Sequence, residues 1–131
     1  MPDSTASQYD EHLKNWIKKI KTYADEIPVT EQLLEDVIRR DNIVNIAAKV
    51  EVYQLMLEGI TNKLNSFLEH MRSFRRNLYE EDQLIEDDAI TNLIISEMKL
   101  LEENKTRITK EYQATKLQCN AFLAEMLKSR H

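Results

Sequence analysis

The stretch Ile43–Leu78, IVNIAAKVEVYQLMLEGITNKLNSFLEHMRSFRRNL, repeats an apolar residue every seven positions on two registers. Ile43, Val50, Leu57, Leu64, Met71 and Leu78 hold one site. Ile46, Tyr53, Ile60, Phe67 and Phe74 hold the site three residues on. No polar residue interrupts either register. Such a pattern specifies a long helix whose narrow apolar seam requires a partner helix. It fixes architecture and carries no chemistry.

The partner lies downstream in the same chain. Between Ile90 and Met126 a second heptad places Met98, Tyr112, Cys119 and Met126 on one site, with Thr91 and Lys105 as its polar members; Ile94, Leu101, Ile108, Thr115 and Phe122 occupy the other. The two seams are nearly equal in length. A reversal in the acidic stretch 80–87 would lay them side by side and antiparallel. The expected elements are therefore a second helix over about 30–79, an acidic turn over about 80–87 and a third helix over about 88–129. Asp87 or Asp88 is the expected cap of the third helix, because carboxylates suit a helix N-terminus.

Upstream, Tyr9, Leu13, Trp16, Ile17, Ile20, Tyr23, Ala24 and Ile27 form an apolar stripe at spacings of three and four, which predicts a helix over about 7–27. Pro28 is read as its end, since a proline disfavours helical geometry at the residue before it. Thr30 then becomes the cap of the second helix. A side stripe (Leu34, Val37, Ile38, Val44, Ala48, Val52, Leu55) meets a matching one (Leu117, Ala121, Ala124, Leu127), and the first helix is expected to lie against both, with Trp16 buried there. The fold class expected is all-α: a long antiparallel, coiled-coil-like helical hairpin, with a shorter N-terminal helix making a three-helix bundle at one end. The chain reads as a single domain, 1–131. Whether the second helix is continuous through Asp41 and Asn42 is left open by the pattern.

Composition supports this class. The chain has 131 residues with one glycine and two prolines, far below the roughly 7% and 5% of average usage, so a sheet with many turns is excluded. Lys and Arg number 18 against 23 Asp and Glu, for a formal charge of −5, which argues against a general nucleic-acid or anionic-membrane binder. With neither a leader pattern at residues 1–8 nor an apolar run of the ~20 residues needed to span a bilayer, a cytoplasmic protein that does not enter membranes is the expectation.

The residues that carry chemistry do not assemble into a constellation. His12, His70 and His131 are scattered, and the single cysteine allows neither an intramolecular disulfide nor a cysteine metal site. The acids at 80–88 lack the central glycine of a calcium loop. No nucleophile adjoins a histidine, and no glycine-rich loop could cradle a phosphate. No catalytic, cofactor-binding or metal site is expected, and no cofactor. The chain reads as a non-enzymatic helical interaction protein: a scaffold, adaptor or small chaperone-like subunit that docks helices with a protein partner and self-associates as a homodimer.

The expected interaction surface is the end of the rod around residues 60–100, where a two-helix hairpin could not bury Leu68, Leu93, Ile95 and Leu100, with Arg72 and Arg76 alongside. Two alternatives come from other classes. One is a ligand- or cofactor-binding bundle formed at a dimer interface. The other is a weak nucleic-acid contact through Arg72, Arg75 and Arg76.

Overall fold

The computed structural model describes residues 5–41 and 44–128, with side chains over 5–40 and 45–128. Among them three α-helices form the body of the molecule: α1 (Ala6–Asp41), α2 (Val44–Arg76) and α3 (Asn92–Lys128), of 36, 33 and 37 residues. Between α2 and α3 come a two-stranded hairpin, β1 (Tyr79–Glu80) with β2 (Gln83–Leu84), and a single 3-10 turn over Asp87–Ala89. The fold is all-helical, as the heptads require.

The α2 seam is the core of the bundle. Val50, Leu57, Leu64, Met71 and Leu78 are buried, as are Ile60, Phe67 and Phe74. Ile43 lies outside the described residues. On α3, Met98, Leu101, Ile108, Tyr112, Cys119, Phe122 and Met126 complete the match. Lys63 pairs with Glu111 and His70 with Glu97, so rising numbers on α2 meet falling numbers on α3 and the two helices are antiparallel.

The first helix departs from expectation. It does not stop at Ile27 but runs through Pro28 to Asp41. A proline inside a helix costs about 3 kcal/mol, through a lost N–H and a clash with the preceding turn. The stripe explains why the helix continues. Leu13, Ile20, Ile27 and Leu34 recur every seven residues across Pro28, all at 2% exposure or less. At roughly 1.5–3 kcal/mol per buried aliphatic side chain, Ile27, Leu34 and Val37 outweigh the proline, whose own ring faces solvent. Thr30 accordingly lies inside α1 and caps nothing. The second helix begins at Val44 instead of near residue 30. The structure describes α1 up to Asp41 and α2 from Val44, and the continuity through Asp41 and Asn42 that the pattern left open falls on residues 42 and 43, outside the described residues.

Because α1 is long, three helices reach the end of the rod where two were expected. Asp10 on α1 binds Arg75 near the end of α2, and the Ala6 N–H donates to Asp87 Oδ1 at 3.1 Å. Further along, Tyr112 donates to Glu26, and Gln54 donates to Glu35 at 2.9 Å. So α1 and α3 run parallel, with α2 antiparallel to both. Trp16 sits nearer the hairpin end of the rod, half-buried, with the Lys105 ammonium 4.8 Å from its ring centroid. The alanine-rich stripe it was expected to fill, Ala48, Ala121 and Ala124, faces solvent.

The helix starts use local chemistry. Thr5 and Gln8 exchange hydrogen bonds, Thr5 N–H to Gln8 Oε1 at 2.8 Å and Gln8 N–H to Thr5 Oγ1 at 3.1 Å, a capping box that opens α1. For α3 the cap is Thr91, whose Oγ1 accepts the Ile94 N–H at 3.2 Å. Asp87 and Asp88, the expected caps, belong to the preceding 3-10 turn.

Candidate interaction surfaces

The expected surface at the residue 60–100 end is reshaped by α1. Leu68 is only 6% exposed, because the first half of α1 packs over that side of α2, so it leaves the candidate surface. Ile95 is half-buried. Leu93 and Leu100, seven residues apart on the outward face of α3, remain open at 82% and 52%. The larger apolar surplus lies at the opposite end of the rod. Val29, Leu33, Val52, Leu55, Leu117 and Leu127 are exposed there, spread over all three helices. Val52 and Leu55 stand two and five positions past the core site Val50, on the side of α2 turned away from the bundle. Ala48 and Gly59 extend that stripe. A Cβ added at Gly59 would meet nothing within 4 Å, so no contact among the described residues accounts for the glycine.

Arg72 and Arg76 do come together, at the hairpin end. They line a cleft of about 760 Å³ with Ile17, Arg75, Tyr79, Glu81 and Asp82. Asp10, whose side chain is 4% exposed, anchors the cleft from behind. One carboxylate oxygen accepts Arg75 Nε–H at 2.6 Å and the other accepts the Tyr79 hydroxyl at 2.8 Å, with the Lys14 ammonium at 3.4 Å. Burial alone would raise the Asp10 pKa. The bonds from Arg75, Tyr79 and Lys14 outweigh it and hold the carboxyl below its usual range. Arg75 gains in turn and is held above its ordinary value, chiefly by Asp10. Its guanidinium carbon also lies 5.6 Å from the Tyr79 ring centroid. Arg75 is therefore a structural clasp, whereas Arg72 and Arg76 make no ion pair with any described residue.

The opposite wall of the cleft is the hairpin turn. Tyr79 pairs with Leu84 and Glu80 with Gln83, leaving a two-residue loop of Glu81 and Asp82. Their φ values are 52° and 65°. Positive φ at both loop positions is the geometry of a type I′ turn, which Asn-Gly or Asp-Gly ordinarily supplies. Here two acids occupy it, and strain of this kind costs of order 1–3 kcal/mol per residue.

Two smaller grooves lie between α2 and α3, of about 520 and 320 Å³, meeting at His70 and lined by Phe67, Phe74, Ile94 and Ile108. His70 and Glu97 bridge them at 2.6 Å. Elsewhere Tyr112 is pushed up in pKa by burial and then by its bond to Glu26, and Cys119 by burial. Among the described residues no group of three or more His, Cys, Asp or Glu is placed to hold a metal ion, and no helix is long and apolar enough to cross a membrane. Comparison with family models, with curated proteins and with solved structures finds no match to this chain.

Proposed function

We propose that the protein is a non-enzymatic helical interaction protein that docks a partner helix on the outward face of α2, and that a second copy of the chain is one such partner. The observation that supports this reading is the stripe Ala48, Val52, Leu55 and Gly59. Val52 is 55% and Leu55 61% exposed on a side of α2 that neither of the other described helices covers. Contiguous apolar surface of this kind favours association. A stripe facing its own copy across a two-fold axis is self-complementary, and the bare Cα of Gly59 leaves room for a neighbouring backbone to come close. The pairing of two bundles through one helix each would be driven by apolar burial at about 25 cal/mol per Å².

Sedimentation equilibrium at tens of micromolar tests self-association. The parent should dimerise, and Val52→Lys/Leu55→Lys should remain helical and become monomeric. A monomeric parent removes the homodimer. Site-specific photocrosslinking from position 55 in the protein's own cells tests the broader reading, and the absence of any protein adduct there would end it.

A further inference from the structure

We propose that the cleft between α1, α2 and the hairpin binds a phosphorylated side chain of a partner protein, flanked in that partner by a basic residue. This does not rest on docking at the α2 stripe, which lies toward the other end of the rod.

The cleft contains two guanidinium groups, Arg72 and Arg76, that form no ion pair with any described residue. Arg72 and Arg76 are one helical turn apart, so their side chains rise from the same face of α2 and border the same volume. Between them they present ten N–H donors. A single carboxylate is satisfied by one bidentate arginine. A phosphate monoester, with three terminal oxygens and close to two negative charges, is the group that engages two. Arg75 is not spare, because Asp10 occupies it at 2.6 Å; its role is to hold the Tyr79 ring in place as part of the floor. Ile17 supplies the other apolar element of the lining.

The acids across the cleft set the rest of the ligand. Glu81 and Asp82 border the same volume and form no ion pair with Arg72 or Arg76. They are held in a strained turn that an Asn-Gly pair would form more easily. Strain retained at a concave site is a sign of use. Two carboxylates there repel a polyanion such as RNA, whose phosphates follow one another without counter-charges, and attract a lysine or arginine next to a lone phosphate. A volume of about 760 Å³ accommodates two or three side chains and falls within the usual range for ligand sites.

The test uses the full chain and a degenerate peptide library with a central phosphoserine or phosphothreonine, against the same library without phosphate. The expected result is selective retention of the phosphorylated library, enriched in Lys or Arg beside the phosphate. Arg72→Gln/Arg76→Gln, with its circular dichroism unchanged, should lose at least tenfold in affinity for the selected peptides. Glu81→Gln/Asp82→Asn should keep phosphate selection and lose the basic preference. Equal retention of the two libraries overturns the proposal, as does binding unaffected by the double arginine variant. Inorganic phosphate competing as tightly as the selected peptides, or an RNA oligonucleotide binding more tightly, also overturns it.

Discussion

Asp10 and Arg75 are 65 positions apart in sequence, and their side chains meet at 2.6 Å where α1 crosses the end of α2. The Tyr79 hydroxyl reaches the same carboxylate at 2.8 Å, so one buried acid ties the first helix to the second and to the hairpin beyond it. Its strength depends on the carboxylate being ionised.

Acid should therefore loosen this end of the rod. The folded pKa of Asp10 is depressed, so its contribution is complete above the unfolded value of about 3.9 and is lost as pH falls through the lower folded value. Asp10→Asn should cost about 1.5–3 kcal/mol at neutral pH, the range for hydrogen bonds to charged groups. Urea melts at several pH values should show a constant gap between parent and variant from pH 5 to 8, closing below about pH 4. A gap independent of pH down to 2 would contradict the assignment.

Pro28→Ala should raise stability by about 2–3 kcal/mol, because alanine restores the missing N–H and removes the clash within α1. Thermal melts decide it. Had the chain reversed at Pro28, the same change would destabilise.

The hairpin turn offers a gain of a different origin. Replacing Glu81 and Asp82 by Asn and Gly suits their positive φ and should stabilise by about 1–2 kcal/mol. If those acids hold a basic side chain of a ligand, the stabilised variant should lose the preference for basic residues in the peptide selection.

Leu64→Asp should unfold the bundle, since Leu64 is fully buried and an unpaired carboxylate there costs several kcal/mol out of a total of roughly 5–15. Leu93→Asp, on an exposed position of the next seam helix, should change the melting temperature little. The contrast between the two by circular dichroism separates core from surface.

What the sequence disclosed followed the strength of its periodicity. The α2 and α3 seams were legible because nothing interrupts the first and only Thr91, Lys105 and Thr115 interrupt the second. The spacing of Leu13, Ile20, Ile27 and Leu34 was equally regular, but Pro28 stood inside it. The proline penalty is local, whereas four aligned core positions act together and outweigh it; a helix ending at Ile27 leaves Leu68 exposed and the alanine stripe covered. Arg72 and Arg76 are legible as a pair, because they stand four residues apart on one helix face while Arg75 points elsewhere. The engagement of Arg75 by Asp10 is not legible, because only the completed bundle brings Asp10 to that place. The Thr5–Gln8 capping box that opens α1 is a signal the periodicity does not use, and a helix start placed near residue 7 misses it.

The parallel course of α1 and α3 has a mechanical consequence. Thr5 emerges at the hairpin end and Lys128 at the other, separated by about 55 Å along the axis at 1.5 Å per residue. A load applied between these two points pulls the helices lengthwise past one another, so many seam contacts resist together instead of peeling apart one by one. Attached cargo or fluorophores at the two points would be kept at a fixed distance, and the chain would serve as a short, stiff spacer.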